Sequence, residues 1–163
     1  MTKPSSLLDT RVIHCGGNLD QLRKIPAFEF ENWAVIALGG ILNKTQVGDM
    51  GIDGRIYPVG AMPTDGAKAN PELDFMDIWY PVQVKQMDKV GRPDIDKFEA
   101  AMIRANRTRG FFVAFDYTQD SVAEASRFFT TQRREITLLT VRDILGEQIA
   151  RKKMDLARST IAE

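Results

Sequence analysis

The chain has 163 residues, with 22 Lys plus Arg against 22 Asp plus Glu and 44% hydrophobic residues. This length suits one domain with a single core, and the balanced charge excludes a global basic field, so any polyanion site is a local patch of modest, salt-sensitive affinity. The single cysteine, Cys15, cannot form an internal disulfide and points to a reducing, cytoplasmic setting, and with no apolar run of spanning length no membrane partner is expected.

In chain order, Arg11 to Cys15 has strand character and Asn18 to Lys24 reads as a short helix, with Gly16-Gly17 as the break. The composition shifts at Pro26, which places a boundary between an N-terminal segment, 1–26, and a main domain, 27–163. Phe28 to Leu38 reads as a helix with Phe30, Trp33, Ala34 and Ala37 on its apolar face, ended by Gly39-Gly40. Three strands are expected next, around Thr45 to Val47, Ile52 to Tyr57 and Ile78 to Lys85. Between the last two lies a long loop, Pro58 to Asp74, rich in proline and glycine. Pro93 opens a helix through Ile95, Phe98 and Met102. Arg109 to Phe115 is a buried strand, followed by a helix over Asp120 to Thr131, a strand at Ile136 to Leu139 and a helix from Val141. A meander followed by strands reached through helices predicts a mixed central sheet flanked by helices. There is no strand-bound G-x-G-x-x-G and no G-K-[ST], so nucleotide binding is not supported.

Chemistry concentrates in Gly51-Ile52-Asp53-Gly54-Arg55 and Tyr80-Pro81-Val82-Gln83-Val84-Lys85, apolar strands that carry polar residues. Residues two apart on a strand share a face, which would put Asp53, Gln83 and Lys85 on one side of a hairpin as a metal site with a lysine beside it. Each has a plainer alternative: Asp53-Gly54 as a hairpin turn, Gln83 as a solvent-facing strand residue, Lys85 as an edge-strand lysine. On the preceding helix Glu29 and Glu31 compete, since residues two apart on a helix point in different directions.

Phe30-Glu31, Gly48-Asp49-Met50-Gly51-Ile52-Asp53-Gly54, Gln83-Val84-Lys85, and the Gly110-Phe111-Phe112-Val113 strand with its downstream Ile136 strand together resemble the Mrr-type restriction endonuclease catalytic domain of the PD-(D/E)xK nuclease superfamily. The resemblance covers roughly Phe28 to Gly146. It implies a restriction-endonuclease-like α/β fold: helix, three-strand meander, helix, strand, helix, strand, helix. It also implies a metal-dependent DNA endonuclease of restriction type using Mg2+, or Mn2+ in its place. By the same resemblance Asp53 is the metal-binding aspartate, Gln83 the second ligand position, Lys85 the active-site lysine and Glu31 the acidic residue of the first helix; the Val84 carbonyl would be a further metal ligand. These residue types suit phosphodiester hydrolysis, in which a hard cation takes oxygen ligands and a lysine neutralises charge building on the phosphate.

Lys89 and Arg92 follow the lysine closely enough to be read as DNA phosphate contacts, whereas Arg104, Arg107 and Arg109 read as a solvated turn. Phe128-Phe129 and Trp33 read as core, and the lone His14 has no zinc-site cluster around it. Double-strand cleavage is easier for a homodimer, although no interface is legible. Thr10 to Pro26 resembles the opening of a restriction-modification amino-DNA-methyltransferase, but no Asp-Pro-Pro catalytic motif follows. The alternative function is therefore a catalytically inactive DNA-binding or interaction remnant of a methyltransferase-related protein.

Overall fold

A computed structural model describes residues 18–43, 51–57 and 79–148. The expected strand at Arg11 to Cys15, the strand at Thr45 to Val47, the Pro58 to Asp74 loop, His14 and Cys15 lie outside the described residues.

Helix α1 (Asn18–Lys24) leads through Ile25-Pro26 into α2 (Ala27–Ala37). Leu38 caps α2, and Gly39, at φ 73°, turns the chain so that Gly39 N–H donates to the Ile36 carbonyl at 2.9 Å and Gly40 N–H to the Val35 carbonyl at 2.9 Å. This is the paired bonding of a Schellman ending, which satisfies carbonyls the helix leaves open. Strands β1 (Ile41–Leu42), β2 (Gly54–Ile56) and β3 (Tyr80–Val84) follow, then α3 (Arg92–Arg104), β4 (Arg109–Ala114), α4 (Gln119–Gln132) and β5 (Glu135–Thr140). A last helical segment, α5, spans 141–148. It begins in a reciprocal cap, with Asp143 N–H donating to Thr140 Oγ1 at 3.1 Å and Thr140 N–H donating to Asp143 Oδ2 at 3.0 Å.

The sheet runs β1-β2-β3-β4-β5. Its first two pairings are antiparallel and its last two parallel, the mixed sheet expected from a meander followed by crossovers. Pairings Val82↔Phe111 and Val84↔Val113 aim these side chains at one face, where they join Phe30, Ala34, Val35, Val141 and Ile144 in a core under α1, α2 and α5. Gln83↔Phe112 points to the opposite face, where Phe112 packs with Ile95, Phe98, Met102, Ala125 and Phe128 under α3 and α4. Leu22 and Ile25, on the N-terminal side of residue 26, are buried in the same core as Phe30.

Helix and strand limits agree with the periodicity to within one or two residues, with two differences. The strand that pairs with β2 is Ile41–Leu42, immediately after the α2 ending. Phe129 is 49% exposed while Phe128 is buried, because neighbouring residues on a helix diverge by about 100° and only one of the pair can face β5 and α3. Trp33 is half-buried against the α2 core, 5.9 Å from the Phe30 ring. No helix among the described residues is long and apolar enough to cross a membrane.

Candidate active site

The site is assembled where α2 crosses the start of β2. A Cβ on Gly54 would lie 2.5 Å from Val35 Cγ1, so only the absence of a side chain lets α2 press this closely on the strand. Glu31 is one helical turn before Val35 and shares its face, which carries its carboxylate towards Asp53, the neighbour of Gly54. The electrostatics record the result. The Glu31 pKa is raised, first by burial, then by the negative charge of Asp53, while the positive charge of Lys85 works against both. Three elements, α2, the approach to β2 and the end of β3, thus bring Glu31, Asp53 and Lys85 together.

Asp53 is held by its backbone and its side chain. Its N–H donates to the Val82 carbonyl at 2.8 Å, although the Cα partner of Val82 is Gly54, so two successive residues address one residue of β3 in the manner of a bulge. That offset turns the aspartate over the end of β3, where Oδ2 accepts the Val84 N–H at 2.6 Å. Asn43 braces the approach, its N–H donating to the Asp53 carbonyl at 3.2 Å and its Nδ2 to the Ile52 carbonyl at 2.7 Å. Gly54 pairs with Val82 inside the ladder and is not at positive φ, so Asp53-Gly54 is not the two-residue turn of a hairpin.

Gln83 is buried on the central strand and not solvent-facing, with its amide beside the backbone of Gly51, which is at φ 90°. Among the described residues its Oε1 is buried without a hydrogen-bond partner. Within a strand the N–H and C=O of one residue address the same neighbour. Since Val84 N–H reaches Asp53, the Val84 carbonyl projects to the same edge. Lys85 continues the ladder, its N–H donating to the Val113 carbonyl at 2.9 Å. It is therefore an interior strand-end residue, half-buried beside β4.

The donor set fits a hard divalent cation. Asp53 and Glu31 are carboxylates, Val84 offers a carbonyl, and Gln83 Oε1 is an oxygen taken out of water with no partner among the described residues, a costly arrangement that a bound cation would relieve. Among the described residues, two carboxylates, Glu31 and Asp53, lie beside Lys85.

A second acidic group lies between α3 and α4. Carboxylate oxygens of Asp96, Glu99 and Glu124 lie within 4.8 Å of one another. Arg92 Nη2 stands 3.3 Å from Glu124 and its Nε 3.6 Å from Asp96, while Arg127 donates to Glu124 through Nε at 2.8 Å and lies 3.7 Å from Glu99. Burial, with the charge of Glu124 next, pushes the Glu99 carboxyl up to about 7. Glu124 stays low, chiefly through its hydrogen bond from Arg127. Of the two residues read as phosphate contacts, Arg92 is thus engaged with this group and Lys89 is exposed. Asn43 and the acidic group were not legible as pattern: Asn43 follows the Gly39-Gly40 ending by chance of chain path, and Glu99 and Glu124 are ordinary helical glutamates until α3 and α4 pack.

The Mrr catalytic-domain family, described as restriction endonuclease, matches residues 22–146. No curated protein matches the sequence.

Proposed function

The chain belongs to the restriction endonuclease family, and from that premise we propose that it is a magnesium-dependent DNA endonuclease acting through Glu31, Asp53, Gln83 and Lys85. The observation that carries this reading is the convergence of Glu31, Asp53 and Lys85 beside a buried Gln83 Oε1 that has no hydrogen-bond partner among the described residues. A bound divalent cation supplies charge neutralisation at the scissile phosphate and a water of lowered pKa. Asp53 and Glu31 contribute the anionic oxygens, Gln83 Oε1 and the Val84 carbonyl the neutral ones. Lys85 orients or deprotonates the attacking water and offsets charge gathering on the phosphate. Manganese, with the same preference for oxygen ligands, is expected to substitute. DNA is the substrate, a homodimer suits double-strand cleavage, and a reducing cytoplasm suits the single cysteine.

The test is plasmid cleavage, methylated and unmethylated, with and without Mg2+. Metal-dependent cleavage that disappears in Asp53→Ala and Lys85→Ala supports the assignment; cleavage unchanged in both sinks it. A folded protein that binds DNA but takes up no Mg2+ in calorimetry points to the non-catalytic remnant.

A further inference from the structure

The strand that carries Gln83 and Lys85 stops abruptly. Lys85 is followed by a three-residue turn in which Met87 N–H donates to the Lys85 carbonyl at 2.8 Å. Its central residue, Gln86, is not at positive φ, which makes this the inverse γ-turn common at strand ends. With its N–H on Val113 and its C=O on Met87, the Lys85 backbone is gripped on both sides. The Gln86 side chain reaches across to α1, where Nε2 donates to the Leu22 carbonyl at 2.9 Å and to the Ile25 carbonyl at 2.8 Å.

The Leu22 acceptor has a reason to be there. Leu22 is in the last turn of α1, and the N–H that would close its helical bond belongs to residue 26, which is proline and has none. Gln86 supplies the donor that Pro26 lacks. Helix α1 has seven residues, too short to hold its shape alone, and it is kept in place by Leu22 and Ile25 in the core, by Arg23 Nε on Asp88 Oδ1 at 2.8 Å, and by Arg23 over the Phe115 ring at 4.6 Å. Three of the contacts that fix α1 therefore fall on residues 86–88, the turn directly after Lys85.

We propose that Gln86 is a positioning residue, which with α1 as its brace fixes the direction in which Lys85 leaves the end of β3. The proposal rests on the nuclease reading for what Lys85 then does, but the brace itself concerns only this chain. It also gives residues 18–25 a part in the site.

The experiment compares wild type, Gln86→Glu, which keeps size but presents acceptors to the two carbonyls, and Gln86→Lys, which retains a donor. Cleavage kinetics are read together with NMR relaxation of the Lys85 side chain in the metal-free protein. Gln86→Glu is expected to lower kcat about 10–100-fold, as supporting residues of metal sites do, with KM for DNA unchanged and Lys85 more mobile; Gln86→Lys restores both. Lys85 order unchanged in Gln86→Glu, a wild-type kcat, or no rescue by Gln86→Lys overturns the proposal. Loss of the folded state in both variants assigns Gln86 to fold maintenance and overturns it too. Wild-type protein that shows no metal-dependent cleavage sinks the nuclease reading alone, since Lys85 mobility still reports on the brace.

Discussion

Among the described residues two places gather carboxylates: the Glu31 and Asp53 pair at the end of β3, and the Asp96, Glu99 and Glu124 group between α3 and α4. By spacing alone the second is the better cation site, with three carboxylate oxygens inside 4.8 Å. Its counter-charges say otherwise. Arg92 and Arg127 both lie against it, and Glu99 is partly protonated near neutrality, sharing a hydrogen bond with Glu124. The group is close to electrically closed, and a cation would have to displace guanidinium ions already in place. At the end of β3 there are fewer acids, with Lys85 beside them, and among the described residues the buried Gln83 Oε1 has no hydrogen-bond partner, as is also true of Glu99 Oε1 in the other group. What sets the two places apart is the company of the acids: two guanidinium groups lie against the group between α3 and α4, whereas the Glu31 and Asp53 pair lies beside Lys85 and the buried Gln83 amide.

The largest expected effect divides the two clusters by activity. Asp53→Ala and Lys85→Ala should each lower plasmid cleavage by about 10²–10⁴-fold, while Glu124→Gln retains cleavage; Mg2+ uptake in calorimetry should vanish in Asp53→Asn and persist in Glu124→Gln. The reverse pattern would transfer the metal site to α3 and α4. Stability should divide them the other way. Glu124→Ala leaves Arg92 and Arg127 facing a vacated buried position and should lower the melting temperature by about 5 °C, with Asp53→Ala shifting it less, as calorimetric melting will show.

A smaller effect follows from Glu99. Its carboxyl in the fold is pushed up to about 7 from an ordinary 4.5, so the folded state holds a proton that the unfolded chain releases. That contribution is fully present below about pH 4.5 and is lost as the pH rises to 7. Glu124, held low, acts in the opposite direction, its stabilisation being lost as the pH falls below the ordinary carboxylate range. Melting followed from pH 4.5 to 7 should decline in wild type and flatten in Glu99→Gln. The smallest expected effect concerns DNA affinity. Lys89→Ala should reduce the salt slope by about one, whereas Arg92→Ala, already committed to Asp96 and Glu124, should leave it unchanged.

Element order was legible in the sequence because burial patterns write themselves as periodicity. The helix at α3 shows in Ile95, Phe98 and Met102, the strand at β4 in Phe111 to Phe115, and the end of α2 in Gly39-Gly40. The residue types of the candidate site stand out in the sequence as well, since a lone aspartate and a Gln-x-Lys interrupt otherwise apolar strands. Three things were not legible. That Glu31 comes within reach of Asp53 depends on Val35 seating on Gly54. The pinning of Asp53 by Val84 depends on an offset in β2–β3 pairing, and the service of Gln86 to α1 joins residues 61 and 64 apart in the chain.

From its sequence alone this chain has its helices and strands, their order, and the polar residues that interrupt them, because those follow from local pattern and backbone preference. Only the tertiary structure decides what brings Glu31 to the aspartate, which acidic cluster has guanidinium partners, and what the turn after the lysine is tied to. Each is a matter of charges and hydrogen-bond partners brought within a few ångströms by packing, and neither periodicity nor spacing encodes that.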